Sequence, residues 1–196
     1  PLRADDHGRW HVPHSRTSGG AQPLRQHDDM THVVTAHTSA LDGETLARIR
    51  ALLVDGFDGH FDDQDWEHTL GGVHALVREG DALVAHAAVV QRRLLHAGRS
   101  YRTGYVEGVV VRADRRRRGH GRAVMQALAD VIRAAYALGA LSAGDEPARL
   151  YRSLGWERWE GRTWVLGPDG PERTAGEDET TYVLRLEPTI DLTGDL

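Results

Sequence analysis

Cysteine is absent from this 196-residue chain, which excludes a disulfide framework, a thiol nucleophile and any cysteine-ligated metal site. Long apolar runs are missing too. The hydrophobic stretches are short and interrupted by charge, so none suits a membrane span, and the amino end lacks the apolar centre of a secretion signal. Nor is there a strong charge of one sign: 24 Lys+Arg against 29 Asp+Glu leave a net charge of −5. That balance argues against a general nucleic-acid binder, although it leaves room for a local basic patch. No zinc pattern stands out, because His60, His68, His74 and His86 fall in different local environments and no H-E-x-x-H occurs. No metal, nucleic-acid or membrane partner is expected, and a soluble, cytoplasmic protein is. The length suits one domain whose core needs no covalent or metal support.

Residues 1–29 mix His, Arg, Ser, Gly, Pro and Asp without periodicity and read as a flexible N-terminal extension. A single domain over 30–196 is expected, with Met30 as an alternative start. Leu46, Ile49, Leu52, Leu53 and Phe57 recur at helical spacing after the capping residue Asp42, and a short helix should follow from Asp63 to Leu70. Strands are expected over His74–Arg78, Ala82–Leu95 and Tyr101–Val111. A helix over Arg122–Leu138, a short strand over Ala140–Ser142 and a helix over Glu146–Leu154 come next, then late strands over Trp159–Leu166 and Thr181–Leu186 separated by a polar loop. The order implies a mixed α/β fold with one sheet.

The most informative stretch is VVVRADRRRRGHGRAV, Val109–Val124, in which Arg116, Gly119 and Gly121 form R-x-x-G-x-G between a buried strand and an amphipathic helix. Glycine lets the backbone approach an anion, the unsatisfied amides of a helix start bind phosphate oxygens, and neighbouring arginines add attraction. A tight turn with a solvated arginine surface is the plain alternative. The spacing differs from the dinucleotide fingerprint, and the Gly-Lys-Ser/Thr of a P-loop is absent.

With this loop in place, the chain resembles the GCN5-related N-acetyltransferase superfamily, and more closely the aminoglycoside 2'-N-acetyltransferases. The likeness runs from about Thr31 to Ile190 and is carried by DWEHTLGG (Asp65–Gly72), HAAVVQRRL (His86–Leu94), GYVEGVVVRAD (Gly104–Asp114), AYALGALSA (Ala135–Ala143) and LYRSLGW (Leu150–Trp156). It implies a central, mostly antiparallel sheet flanked by helices and opened at an acetyl-CoA cleft. It also implies transfer of acetyl from acetyl-CoA to an aminoglycoside, with CoA as product, and a homodimer.

The resemblance gives Glu107 the role of accepting the amine proton and Tyr151 that of general acid toward the departing sulfur. On their residue types alone, Glu107 could equally form a salt bridge and Tyr151 could pack in the core. The resemblance implies that the backbone of Val109, Val110 and Val111 serves as an oxyanion contact and binds the pantetheine amides, that Arg116, Arg117, Arg118, Gly119, His120, Gly121 and Arg122 hold the rest of acetyl-CoA, and that Ser142 adds a polar contact at the mouth of the opened sheet, though serines also commonly satisfy strand ends. The acceptor is expected among His60, Asp62, Asp63, Asp65, Glu67, Glu107, Glu177 and Asp178, since several carboxylates would attract an amino sugar. Trp66, Trp156, Trp159 and Trp164 could add an apolar wall, though core packing is the commoner use. Two departures bear on the acceptor. The family's Gly-Asp-Phe is Gly59-His60-Phe61 here, and its tail with cysteine, Asp-Trp-Arg and a terminal tryptophan has no counterpart before Leu196. The first puts the identity of the substrate in question, and the second implies, if that tail closes over substrate, either a different closure or a different aminoglycoside, kasugamycin being one candidate. Another small amine or polyamine as acceptor, or a non-enzymatic acyl-CoA sensor, are the competing expectations.

Overall fold

The structure, a computed structural model, describes residues 3–4, 10–11 and 32–196. Strands β1 (Arg3–Ala4) and β2 (Trp10–His11) pair antiparallel within a separate unit, Pro1–Met30. Apart from those four positions, the extension expected over 1–29 and the start at Met30 lie outside the described residues.

The second unit, Thr31–Leu196, is built on a seven-stranded sheet. Its elements in chain order are β3 (Val33–His37), α1 (Gly43–Gly56), α2 (Asp63–His68), β4 (Val73–Glu79), β5 (Ala82–His96), β6 (Arg99–Val111), α3 (His120–Ala135), β7 (Leu138–Ser142), α4 (Asp145–Ser153), β8 (Glu157–Arg158), β9 (Trp164–Gly167), β10 (Gly170–Arg173) and β11 (Thr181–Arg185). The sheet order is β3-β4-β5-β6-β7-β11-β8, antiparallel throughout except for the parallel pair β6–β7. This is the mixed α/β architecture expected from the sequence.

The sheet is covered on both faces, so β5 is buried continuously rather than in alternation: Leu83 to Val90 are all buried, and all but His86 are apolar. On one face α3 inserts Val124, Met125, Leu128 and Ile132, all fully buried; each contributes roughly 1.5–3 kcal/mol relative to an exposed side chain. The other face takes Ile49, Leu52 and Leu53 of α1 against Leu76, Leu83 and Val110. Asp42 caps α1 as expected, its carboxylate accepting from Thr45 N at 2.7 Å.

Two expectations are corrected. Helix α3 runs from His120 to Ala135 rather than from Arg122 to Leu138: Gly119 adopts φ +90° as N-cap and lets the chain turn directly into the helix, and Leu138 instead opens β7, paired with Thr103. The strand expected over Trp159–Leu166 is broken. Trp159 is a buried core residue whose Nε1–H donates to Gly194 O at 3.1 Å, and a Cβ on Gly161 would sit 1.6 Å from Gly194 O. The backbone there bonds to the final residues instead, Glu160 N to Leu192 O and Leu196 N to Arg162 O, each at 2.9 Å. The end of the expected strand survives as β9, which forms a separate hairpin with β10, and β10 lies inside what the composition marked as polar loop.

Candidate functional site

The parallel ladder between β6 and β7 lasts only from Thr103↔Leu138 to Tyr105↔Ala140, although the strands run on to Val111 and Ser142. Beyond Tyr105 the sheet is open. On its other side β6 stays paired to β5 but carries a bulge: Glu107 faces Ala88 and Val110 faces His86, so Gly108 and Val109 together oppose the single residue Ala87. Gly108 takes φ +57°, and a Cβ there would stand 3.0 Å from Thr69 Cγ2 and 3.1 Å from Leu53 Cδ2. Only glycine fits this turn without displacing packed side chains.

The opening holds a cavity of about 250 Å³ lined by Val106, Glu107, Gly108, Val109, Leu141 and Tyr151, with His60 and Asp65 on its rim. A second cavity of about 700 Å³ is bounded by Arg92, Tyr105, Trp164 and Glu177. Both share Asp65, Glu107 and Ser142, so Glu107 stands where the two meet.

At the end of β6 the arginine loop leads into α3. Arg112 pairs with Asp114 at 2.7 Å, and Arg115 pairs with Glu79 and Asp114, each at 2.7 Å. Arg116 donates to Val111 O at 3.3 Å. Arg117, at φ +63°, and Arg118 are exposed and have no acidic partner among the described residues. In the same region the amides at the start of α3 lack intrahelical acceptors, as every helix start does. The result is a set of N–H donors beside free guanidinium groups, the arrangement that binds an anion.

Glu107 carries the clearest electrostatic signature. Burial pushes its carboxyl up to about 7, the Arg92 guanidinium 2.5 Å from Oε1 pulls in the opposite direction, and Asp65 and Glu177 push it further up. Arg92 also lies over the Tyr105 ring, 4.4 Å from its centroid. A carboxyl poised near neutrality can take a proton at one moment and release it to water at another.

Residues 38–159 match the acetyltransferase (GNAT) domain family. The chain belongs to this family. An aminoglycoside 2'-N-acetyltransferase from Mycolicibacterium fortuitum is 48% identical over 167 residues, covering 81% of this chain and 86% of that one. Among solved structures, a GNAT family N-acetyltransferase of Escherichia coli in complex with CoA superposes with a TM-score of 0.64 at 16% identity, covering 87% of this chain and 92% of the other. A GCN5-related N-acetyltransferase from Kribbella flavida matches with a TM-score of 0.55 at 22% identity; the match covers 67% of this chain and only 34% of that longer one. The two structures share the GNAT fold with this chain.

Within the GNAT frame the remaining site residues fall into distinct places. Tyr151 lies in the last turn of α4, buried against Trp156 and Tyr182, and desolvation raises its hydroxyl to about 12. Val110 turns its side chain into the α1 core, leaving only its backbone beside the cleft. The His120 imidazole is likewise directed inward, its Nε2 3.2 Å from Glu79 Oε1 but without hydrogen-bond alignment, so only the backbone of His120 belongs to the loop surface. Arg122 donates to Ser153 Oγ at 2.7 Å, and Ser142 Oγ is 2.9 Å from Thr180 Oγ1.

On the acceptor side the acidic residues separate by what already engages them. Asp65 reciprocates a capping box with Asp62, and Asp63 pairs with Arg50. Asp178 accepts from Thr163 N at 2.8 Å and pairs with Arg173, which holds its carboxyl far below the usual range. Its carboxylate is thus occupied in tying the late loop together, whereas Glu177 faces the larger cavity. Trp156 and Trp159 are core residues; Trp164, 39% exposed, lines the cavity. Sequence reasoning did not pick out Arg92 or Tyr105. Nothing in their spacing marks them, because their meeting depends on the β5–β6 register, which pairs Arg92 with Thr103 and Val90 with Tyr105.

Proposed function

We propose that this chain transfers the acetyl group of acetyl-CoA to the 2'-amine of an aminoglycoside. The observation that carries the reading is Glu107: a half-buried carboxyl raised to about 7, set where the opened strands meet a cavity bordered by Asp65 and Glu177. The 48% identity to an aminoglycoside 2'-N-acetyltransferase supports the same acceptor class.

The residues fit an acyl-CoA. Gly119 with its left-handed φ, the free amides at the start of α3 and the exposed Arg117 and Arg118 suit a pyrophosphate, with Arg116, Gly121 and Arg122 alongside. The gap between β6 and β7 offers backbone groups of Val109–Val111 to an extended arm, with Ser142 at its mouth. When bound, acetyl-CoA supplies an electrophilic thioester carbonyl. Asp65 and Glu177, with His60 on the rim, draw the ammonium groups of the acceptor into the cavity. Glu107 takes the proton of the attacking amine, directly or through water, as the new C–N bond forms. The C–S bond breaks, and Tyr151, protonated throughout the working range, gives its hydrogen to the departing sulfur. No side-chain nucleophile intervenes. The product amide has lost a positive charge, which weakens its hold on anionic RNA and accounts for a role in resistance or in self-protection of a producer.

The same reading includes a homodimer, for which the exposed Trp164, Val165 and Leu166 of β9 offer an apolar surface; light scattering over a concentration series tests it. For the activity, the purified protein is incubated with acetyl-CoA and gentamicin, tobramycin, kasugamycin or spermidine, with CoA thiol release followed and products assigned by NMR. Release that depends on an amino sugar and a 2'-N-acetyl product are expected. Folded protein that turns over none of the amino sugars overturns the proposal, and turnover of spermidine alone assigns a simpler polyamine acceptor.

A further inference from the structure

Beneath the bulge of β6 runs a chain of hydrogen bonds that the acetyl-transfer chemistry above does not use. His86 and His74 are fully buried; His86 Nδ1 lies 2.8 Å from Gly108 O, His86 Nε2 lies 2.9 Å from His74 Nδ1, and His74 Nε2 lies 2.8 Å from Thr38 Oγ1. Gly108 O only accepts, so His86 Nδ1 carries the hydrogen. A neutral imidazole has one N–H, so His86 Nε2 accepts from His74 Nδ1–H, and His74 Nε2 accepts from the Thr38 hydroxyl. Thr38 Oγ1 in turn accepts from Gly71 N at 2.9 Å and also lies 3.2 Å from Gly72 O, which already accepts from Thr38 N at 2.9 Å, so the single hydroxyl hydrogen goes to the shorter contact at His74 Nε2. Every group is satisfied and every bond points the same way, from the loop at Gly71 to the carbonyl at Gly108. Both rings are held neutral by burial, His74 to about 4 and His86 to about 3, with His37 adding to the effect on His74 and His74 adding to that on His86.

The target of this chain is specific. Gly108 C=O and Val109 N–H belong to one trans peptide, so they point in opposite directions. His86 takes up the carbonyl on its own side of β6; the N–H therefore points to the opposite side, and Val109 lines the cavity where β6 has parted from β7. Hydrogen bonding to a peptide carbonyl also polarises the N–H of the same unit. We infer that His86 is a positioning residue for acyl transfer, fixing and polarising the Gly108–Val109 peptide so that the Val109 N–H donates to the thioester oxygen, with His74 and Thr38 setting its tautomer. This rests on the acetyl-transfer reading. The sequence shows two histidines in separate strands; their contact arises from the β4–β5 register, in which Leu76 faces His86 and His74 faces Ala88.

The test compares His86→Leu, which fills the space and removes the donor, with His86→Asn, which restores an N–H near the Nδ1 position. His86→Leu is expected to lower kcat by roughly tenfold or more while leaving the KM for acetyl-CoA within about twofold, since an oxyanion donor acts mainly in the transition state. A 13C-labelled ketone analogue of acetyl-CoA gives a second readout: its carbonyl infrared band, when bound, should move to higher frequency in His86→Leu and back in His86→Asn. A folded His86→Leu that binds the analogue with parental kcat or an unmoved band overturns the inference. So does a His86→Asn no better than His86→Leu. Should His86→Leu fail to fold, His74→Leu carries the test, with a smaller band shift of the same sign expected and none refuting it. Failure of the parental protein to bind the analogue would remove the acetyl-transfer reading, and this inference with it.

Discussion

Removing Arg92 and removing Glu177 should displace the pH profile of acetyl transfer in opposite directions. Burial raises Glu107 to about 7, Arg92 at 2.5 Å opposes that rise, and Glu177 reinforces it. The base acts when ionised, so kcat/KM rises with pH through about 7; roughly a tenth of the carboxyl is ionised one unit below and nine tenths one unit above. A charge-assisted hydrogen bond contributes about 1.5–3 kcal/mol, and one pKa unit corresponds to 1.36 kcal/mol, which sets about 1–2 units for the loss of Arg92. The Arg92 side chain is 36% exposed, so solvent screening favours the lower end, an alkaline shift of about one unit. Arg92→Met keeps the aliphatic stem beside Tyr105 while removing the charge. Glu177→Gln removes an exposed like charge and should move the profile to the acid side by a few tenths of a unit. The assay is kcat/KM from thiol release between about pH 5.5 and 9, with circular dichroism confirming the fold. Ionisation of the acceptor amine is common to all variants, so relative displacement isolates the enzyme group. Superimposed profiles, or an acid shift in Arg92→Met, would refute Glu107 as the titrating base.

Tyr151→Phe should retain acetyl-CoA affinity by calorimetry yet lose about 10- to 100-fold in kcat, the usual contribution of a positioned acid; near-parental turnover rejects the assignment. Replacing Arg117 and Arg118 by Gln should raise the KM for acetyl-CoA several-fold and flatten its salt dependence, and an unchanged salt slope would place the pyrophosphate elsewhere. The neutral histidines predict acid sensitivity. Their folded pKa values lie below the unfolded 6.5, so the stability they contribute is present above about 6.5 and is lost as pH falls toward about 4 and 3. At pH 5 one such imidazole costs about 2 kcal/mol, visible as a fall in Tm relative to pH 7 that His74→Asn should reduce.

The proposed donor side is one that the sequence could suggest because it is local. A run of consecutive residues, Val109–Val124, contains the end of β6, the loop and the start of α3, and helix-start amides need only Gly119 and the arginines beside it. The amphipathic spacing of α1 and α3 likewise announced most of the faces that would be buried, although Phe57, past the end of α1, is exposed and Leu138 belongs to β7. Trp159–Leu166 misled for the converse reason: its apolar content suits a strand, but the partner that stops it, Gly194, is distant in sequence and close only after folding.

The α/β order was readable from the sequence, as were a glycine–arginine turn of a type suited to an anion and, in Glu107 and Tyr151, residue types able to move protons. Tertiary structure alone decided their chemical condition. Register placed Arg92, Asp65 and Glu177 around Glu107 and so set its pKa, sorted Glu177 from the occupied Asp178, and joined His74 to His86 beneath Gly108. A side chain's type fixes which protons it can hold, whereas burial and the charges brought near it by folding fix when it holds them.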